Sequence, residues 1–438
     1  MDFMDPVIHT GILGGGWTGL LLGNELRERG VPFLVLEQEA TPGGLARTVR
    51  FKDVAGDTGP HALYSHDPKV MRYLRSLPVR YEVHHRKVRV VHHGNDGQIY
   101  EVDYPFENGI GGLPLPHRID CLEGYLAASA NKRRSFRNLR DWIDHGLGSG
   151  IARHFMIPYN RKIWNAPLRQ ISMDLVKKKI DPAPLRAVIE AAFGKPSIGR
   201  KVQSVFLYPK GGIGKLTELL SQRIQRWVRT SESVLKVERI DGVYAVTTSK
   251  NTYRFRRLIS AIPLKKFLKI QPFSQFRRYS SHFKHNDTIF VSVALKKGCH
   301  FRRFDDCHWL FFAGPEIFYR VNMMHVFYQS RRRHLVAEIT HKGDLRQWPQ
   351  RRIESRVLRD LRRAGILARM SDVESLVSKF VPYTYPIPTA GLHRVLKRLD
   401  AALARKGIFL VGRSGHWDYI NMDQVVSKVW NFIERHPA

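Results

Sequence analysis

The sequence predicts an α/β fold with a Rossmann-type nucleotide-binding domain, a helical insertion and a second, antiparallel β-sheet domain. Three observations predict it: a βαβ pattern at the start of the chain, a long middle stretch with helical spacing, and several β-type runs between about 275 and 345. The 438 residues also exceed the roughly 250–300 that one hydrophobic core serves, so we expect two or three domains.

The N-terminal pattern joins a strand, a glycine-rich turn, a helix and a second strand. An apolar run at 7–13 precedes GGGWTG, leucines at helical spacing follow, and FLVLE gives the second strand at 33–37. Glycines in GxGxxG register let the backbone approach a pyrophosphate at the helix N-terminus, and an acid after the second strand accepts hydrogen bonds from a ribose. The predicted dinucleotide-site residues here are Gly14, Gly16, Trp17, Thr18, Gly19 and Glu37.

The remaining elements follow from turns and periodicity. Asn95-Asp96-Gly97 and Asp241-Gly242 each separate two β-type runs, which predicts two hairpins. Residues 117–200 lack strand patterns and indicate a helical insertion. GIFLVGRSG, followed by a helix from about Met422, again reads as strand, glycine turn and helix, so we expect both chain ends to meet on one domain.

The net charge of +33 and the pI near 10.3 predict partners that are anionic. The basic residues form short clusters, such as those at 132–134 and 177–179, and the sequence shows neither zinc-finger spacing nor an aromatic RNA-binding motif. We therefore expect a small anionic substrate and no specific nucleic acid. Peripheral association with an anionic membrane stays open, and nothing in the sequence indicates an oligomeric state.

The cysteines suggest a reducing compartment. Cys121, Cys299 and Cys307 form no CxxC motif, so the sequence predicts neither a disulfide framework nor a metal site. No apolar run approaches the roughly 18 residues of a membrane span. We expect a cytoplasmic protein.

A second glycine motif chooses between cofactors. TPGGLART places Gly43, Gly44 and Arg47 just after the ribose-binding acid. This segment resembles the second fingerprint of FAD-binding flavoenzymes of the amine oxidase and protoporphyrinogen oxidase type. A cofactor longer than a ribose needs a second close backbone approach and a cation for its phosphates, so FAD is favoured over NAD.

Most of the chain resembles the UDP-galactopyranose mutases, and the eukaryotic type more than the bacterial one. The matching segments are GGLARTV, DTGPHALYS, FMIPYNRKIW, YPKGGIG, CHWLFFAGPEIFYR, YPIPT and GRSGHWDYINMDQ. With the element pattern, the resemblance predicts a discontinuous FAD-binding domain (1–85, 204–272 and 390–438), a helical substrate domain (110–203) and a β-sheet substrate domain (86–109 and 273–389). It adds as cofactor-binding residues Gly43, Gly44, Leu45, Arg47, Gly59, His61, Gly212, Gly412, Arg413, Asn421, Met422 and Asp423.

The resemblance implies ring-size isomerisation of a nucleotide sugar through N5 of reduced FAD, with NAD(P)H as a candidate reductant. Arg320 lies in an aromatic strand, where a buried arginine needs an anion, and the resemblance assigns it to the substrate diphosphate. Lys179 stands where the family pattern has a second diphosphate-binding arginine. The implied substrate-binding residues are Asn160, Trp164, Lys179, Tyr319, Arg320, Tyr385 and Tyr419, and the implied catalytic residues are His61 and Arg320.

Two other functions remain open from the sequence. One is an FAD-dependent oxidoreductase of the protoporphyrinogen oxidase or amine oxidase type, and the other is a flavin protein retained for binding alone. Single residues also have plainer interpretations, since Tyr385 and Tyr419 could be packing tyrosines and Asn160 a hydrogen-bonded core residue. A mutase works only with reduced flavin, whereas an oxidase bleaches the flavin with its substrate.

Overall fold

The structure is a computed structural model, and it describes residues 6–51, 54–131, 135–179, 183–195 and 204–437. It confirms the α/β class predicted from the sequence. None of the described helices combines the length and apolar composition that crossing a membrane requires.

Eighteen strands occur in the described residues. They are β1 (Ile8–Leu13), β2 (Phe33–Leu36), β3 (Thr48–Phe51), β4 (Val54–Asp57), β5 (Tyr81–His85), β6 (Val88–His93), β7 (Ile99–Asp103), β8 (Val205–Pro209), β9 (Val228–Arg229), β10 (Val234–Ile240), β11 (Val243–Thr248), β12 (Thr252–Ser260), β13 (His285–Leu295), β14 (Trp309–Phe312), β15 (Arg320–Asn322), β16 (His334–Thr340), β17 (Val373–Pro386) and β18 (Ile408–Leu410).

The helices concentrate in the N-terminal unit, the middle of the chain and the C-terminus. They are α1 (Trp17–Glu28), α2 (Pro68–Ser76), α3 (Leu115–Ala130), α4 (Leu139–Gly146), α5 (Gly148–Ile151), α6 (Ile157–Ile163), α7 (Met173–Lys179), α8 (Leu185–Ala192), α9 (Gly214–Arg223), α10 (Leu264–Ile270), α11 (Ser274–Arg277), α12 (Met324–Phe327), α13 (Gln350–Arg363), α14 (Leu392–Ala404), α15 (Gly412–Gly415) and α16 (Met422–Arg435). A π-helical turn at Ala152–Met156 joins α5 to α6.

The first sheet has the strand order β10-β11-β12-β1-β2-β9, with β18 beside the second half of β12. Strands β12, β1, β2, β9 and β18 run parallel, and α1 connects β1 to β2, which confirms the predicted βαβ unit. The predicted hairpin at Asp241-Gly242 joins β10 to β11, where both turn residues have positive φ. Such angles match the right-handed twist of the strands that the turn connects.

The second sheet has the order β17-β13-β16-β15-β14-β6-β7 and is antiparallel except between β14 and β6. Its inner strands are buried on both faces. Along β16, Leu335, Ala337 and Ile339 pack against one core with α13, whereas Val336 packs against a different core with the helical insertion. This alternation follows from the two-residue period of a strand. The predicted hairpin at 95–97 joins β6 to β7 in this sheet.

The two ends of the chain meet beside α1, as the sequence predicted. Helix α16 packs against α1, and the Trp17 indole Nε1–H donates to the Met422 carbonyl over 3.1 Å. Strand β18 extends the first sheet next to β12. The division of the chain into three domains stays a prediction, although all strands of the second sheet fall within 86–109 and 273–389.

Candidate active site

A cavity of about 780 Å³ runs from the glycine turn after β1 to the face of the second sheet. Its volume lies within the usual range for cofactor and ligand sites. Most residues predicted for the cofactor and three predicted for the substrate line it: Gly14, Gly16, Trp17, Thr18, Glu37, Gly43, Gly44, Leu45, Arg47, Gly59, His61, Arg320, Tyr385, Arg413, Tyr419, Asn421 and Met422. Segments far apart in the sequence therefore form one site.

The glycine turn has the backbone that a pyrophosphate site needs. Gly14 has a φ of +102°, and a Cβ on Gly44 would lie 3.1 Å from the Gly16 Cα, so the two glycine motifs face each other closely. Gly19 serves packing instead, because its Cβ would lie 1.9 Å from the Gly14 carbonyl oxygen. Helix α1 consequently begins at the cavity with its N–H groups directed towards it.

Glu37 closes the first end of the cavity. Its carboxylate accepts hydrogen bonds from the backbone N–H of Gly15, over 2.7 Å, and of Glu39, over 2.8 Å. Burial raises the pKa of this carboxyl, and the two backbone donors act against that rise. A carboxylate fixed at the end of β2 is suited to accept from ribose hydroxyls.

The C-terminal segment supplies a second helix N-terminus. Asn421 caps α16 in a capping box with Gln424, and its Nδ2 donates to the Tyr64 hydroxyl over 3.1 Å. Arg413 donates to the carbonyls of Ile420 and Thr384 and lies over two aromatic rings of the cavity wall. These bonds hold the segment against the second sheet.

His61 lies in the half of the cavity that faces the second sheet. Its Nδ1 is buried and makes no hydrogen bond of normal geometry within the described residues, although a backbone hydrogen bond to nearby Gly59 acts to raise the pKa of the ring. Burial, followed by the positive charge of Arg413, lowers the pKa of His61 to about 4. The imidazole is therefore neutral at pH 7, with a polar atom available to a bound group.

Arg320 is paired with a buried carboxylate that the sequence analysis missed. Its Nε and Nη2 donate to Glu338 over 3.0 and 2.7 Å, and Nη2 also donates to the Tyr385 hydroxyl over 2.9 Å. Burial by itself would lower the pKa of the guanidinium, but the Glu338 carboxylate and nearby phenols raise it well above its usual value. The anion that a buried arginine requires is thus partly supplied by the protein.

The register of β16 with its two neighbours, β15 and β13, places this pair. Arg320 on β15 and Phe290 on β13 both lie opposite Glu338 on β16, and all three are on the face away from α13. The Tyr319 hydroxyl also donates to Glu338, over 2.6 Å. Tyr319, which was predicted to bind substrate, therefore hydrogen-bonds the buried carboxylate and does not line the cavity.

The structure does not bring Asn160 and Trp164 to the cavity lining. The Trp164 indole N–H donates to the Asn160 Oδ1 over 3.1 Å, and the Asn160 Nδ2 donates to the Met156 carbonyl. The Trp164 ring packs edge-on against Tyr385 and Tyr419, with centroids 6.4 and 5.9 Å apart. Both residues therefore stand behind the tyrosines that form the wall.

Four further predicted residues are not part of the lining either. A Cβ on Gly412 would lie 2.1 Å from the Thr18 Oγ1, and one on Gly212 would lie 2.2 Å from the Thr48 Oγ1, so both glycines permit close packing. Asp423 is in the first turn of α16, next to Met422, which does line the cavity. The side chain of Lys179, at the end of α7, lies outside the described residues.

Sequence reasoning also missed an aromatic and basic part of the wall. Arg86 lies between β5 and β6 and stacks over the Tyr104 and Trp309 rings at 5.3 and 5.5 Å. The other unpredicted side chains of this part are Tyr64, Phe206, Phe290, Trp309 and Phe311. A lone arginine between two short strands carries no local signal, and only the pairing of β6 with β14 brings it beside Trp309.

The donor set fits a flavin dinucleotide. Two facing glycine turns and two helix N-termini can receive a pyrophosphate, and Glu37 can receive a ribose. The aromatic half, with the buried His61 imidazole, can receive a ring system with polar atoms. The fold and site together define a flavin-dependent enzyme with a Rossmann-type domain.

Comparisons with known proteins identify the family. A model of NAD(P)-binding Rossmann-like domains matches residues 12–77, and a model of flavin containing amine oxidoreductases matches residues 191–427, more than half of the chain. The chain belongs to the flavin containing amine oxidoreductase family, and its cofactor is FAD.

Solved structures share the fold over nearly the whole chain. A reduced UDP-galactopyranose mutase superposes with a TM-score of 0.88 at 22% identity, covering 99% of this chain and 97% of that one. A protein described as a putative protoporphyrinogen oxidase from Exiguobacterium gives 0.77 at 15% identity, covering 99% of both chains. Putrescine oxidase bound to putrescine gives 0.65 at 15% identity, covering 98% and 99%.

Proposed function

We propose that the protein is an FAD-dependent enzyme acting on a nucleotide sugar, with a ring-size isomerisation like that of UDP-galactopyranose mutase. One observation carries the proposal: three arginines, Arg86, Arg320 and Arg413, line the half of the cavity that faces the second sheet. Glu338 offsets part of the Arg320 charge, but three arginines against one carboxylate leave this half positive, which favours an anionic substrate such as a diphosphate and disfavours a protonated amine. The likeness to the reduced mutase supports the same substrate class.

Arg320 would bind the diphosphate with the part of its guanidinium that the protein leaves available. Glu338 and Tyr385 accept from Nε and Nη2, and no described residue accepts from Nη1. The Glu338 carboxylate fixes the plane of the guanidinium, so that Nη1 has a set direction before a ligand arrives. Such preorganisation lowers the entropic cost of binding.

The remaining wall would place the sugar and exclude water. The tilted rings of Tyr385 and Tyr419 pack together with centroids 5.6 Å apart and carry hydroxyl groups, while Trp309 and Phe311 close the aromatic side. When bound in its reduced form, FAD supplies a nucleophilic nitrogen, N5, for the anomeric carbon. His61 is the neutral group in this half that can hold a proton at Nδ1.

The test is incubation of dithionite-reduced protein with UDP-galactofuranose, followed by chromatography of the UDP-sugars. A change of ring size that requires reduction supports the proposal, and the absence of both binding and conversion of nucleotide sugars refutes it. Arg320→Ala should weaken UDP binding by about 2–5 kcal/mol if the guanidinium meets the diphosphate in a desolvated site. The control is Arg186→Ala, since that side chain is 89% exposed.

The second candidate is an oxidoreductase that oxidises an organic substrate at the flavin. The family assignment favours it, and the aromatic part of the wall suits an apolar substrate. In that case the substrate alone would bleach the oxidised flavin, and air would restore its colour. The same preparation, kept oxidised, distinguishes the two functions.

A further inference from the structure

A cluster of three histidines lies where β6 meets the helical insertion, and none of the three lines the cofactor cavity. His92, His117 and His154 each offer a ring nitrogen, and these atoms lie within 4.8 Å of one another. The His117 and His154 rings stack at 4.2 Å, and the His92 ring meets both edge-on. We propose that this cluster is a zinc-type divalent metal site that joins the second sheet to the helical insertion.

The fold positions the three rings from three separate elements. Val88 and Val90 on β6 point into the core shared with the insertion, and His92 has the same parity, so its side chain faces the same way. His117 lies in the first turn of α3, and His154 lies in the π-helical turn before α6. π-Helical turns often occur at functional sites, because the extra residue redirects side chains.

The ligand nitrogens are close enough for one ion, but the stacked His117 and His154 rings must turn apart before both can direct a nitrogen lone pair at it. The His92 Nε2 and His117 Nδ1 are 2.8 Å apart and share one hydrogen bond. Zinc bonds imidazole nitrogens at about 2.0–2.1 Å in tetrahedral sites, which puts two ligand nitrogens about 3.4 Å apart. Coordination would replace the shared hydrogen bond, and its proton would move to the other nitrogen of the same ring, so both rings stay neutral.

An aspartate provides the outer contact that metal-bound histidines usually have. The His154 Nε2 lies 2.7 Å from the Asp120 Oδ2, which leaves Nδ1 of the same ring to face an ion. Arg153 donates to the same carboxylate oxygen over 3.0 Å, and its side chain is 66% exposed, so solvent screens its charge. Burial and the neighbouring imidazoles lower the pKa of His92 to about 4, consistent with a neutral ligand.

The site has an entry path and an open coordination position. A cavity of about 630 Å³ is lined by all three histidines and by Asp120. Three imidazoles with one open position match the ligand set of zinc, and imidazole also suits nickel and copper. The sequence analysis predicted no metal site, because histidines 25 and 37 residues apart carry no local spacing motif.

An ion here would stabilise the segment that contains Asn160. His154 is three residues before the start of α6, so coordination would tie the π-helical turn to β6 and α3. The proposal does not depend on the proposed substrate, because neither the cluster nor its cavity includes a residue of the cofactor cavity.

The test uses tag-free holoprotein, freed of metal with a chelator and then equilibrated with Zn²⁺ against a chelator of known affinity. We expect about one bound zinc per chain by elemental mass spectrometry. His92→Ala and His117→Ala should each lower zinc affinity at least about 100-fold, and Asp120→Asn about 10- to 100-fold. The exposed His66→Ala is the control and should leave the affinity unchanged.

Flavin content and circular dichroism establish that each variant is folded. Should His92→Ala or His117→Ala fail to fold, Asp120→Asn decides the matter together with the visible spectrum of the Co²⁺-substituted wild type, which reports nitrogen ligands in tetrahedral geometry. Retention of no zinc by the wild type, or an unchanged affinity in folded His117→Ala and Asp120→Asn, overturns the proposal.

Discussion

The Arg320–Glu338 pair allows a quantitative test of how the site is held in place. Glu338 is fully buried and accepts two hydrogen bonds from Arg320, one from Tyr319 and one, over 2.7 Å, from Asn322. Removing one member of a buried ion pair leaves the other charge uncompensated. We therefore expect Glu338→Gln and Arg320→Met each to lower the free energy of unfolding by about 3–5 kcal/mol.

The magnitude of the coupling follows from the geometry. With N–O distances of 2.7 and 3.0 Å, the charge centres lie about 4 Å apart, where an effective dielectric constant of 20 gives an attraction of about 4 kcal/mol. The double variant leaves neither charge unpaired. Its loss should therefore be close to that of one single variant, and well below the sum of both.

The assay is the thermal unfolding midpoint of the four proteins at one fixed FAD concentration, followed by tryptophan fluorescence. Each single variant should unfold about 3–5 °C below the wild type, since an unfolding entropy of about 2.1 cal/mol/K per residue makes 1 kcal/mol correspond to about 1 °C in a chain of 438 residues. The control cycle uses Arg186 and Glu190, an exposed pair 3.1 Å apart, for which we expect a much smaller coupling because solvent screens both charges. Equal couplings in the two cycles would refute the assignment of Glu338 as the counter-ion.

Two further predictions concern the glycine turn and the buried histidines. Gly19→Ala should abolish stoichiometric flavin binding, measured by absorbance, because the new Cβ would lie 1.9 Å from the Gly14 carbonyl oxygen. The control is Gly30→Ala, whose Cβ would have no atom within 4 Å. It should lower the free energy of unfolding by only about 1–2 kcal/mol and keep the flavin. Burial lowers the pKa of His334 to about 3, so below pH 6.5 the unfolded chain binds a proton that the folded chain does not, and stability should fall as pH drops from 6.5 towards 3. In urea unfolding, the free energy of unfolding of His334→Asn should fall less between pH 6.5 and 3 than that of the wild type. The exposed His66→Asn should show the same fall as the wild type.

The parts of the fold that local signals encode were predictable. A strand, GGGWTG and leucines at helical spacing specify β1, the turn and α1, and Asp241-Gly242 specifies its hairpin, because each signal lies within a few residues. The choice of FAD as the cofactor depended on the resemblance to known flavoenzymes. Glu338, in contrast, is one glutamate in an apolar strand, and only the register of β15 against β16 shows that it lies opposite Arg320. Contacts of this kind depend on packing between distant segments and leave no local pattern.

The segment FMIPYNRKIW shows how far a correct local prediction reaches. Pro158 does stand in the first turn of α6, and the hydrogen bond from Trp164 to Asn160 confirms that these side chains share a face. That face meets Tyr385 and Tyr419, whose rings form the cavity wall. Because Asn160 fixes the indole and the indole supports both tyrosines, substitutions in this segment act on the site by displacing its wall, so their effect on catalysis does not require contact with the substrate.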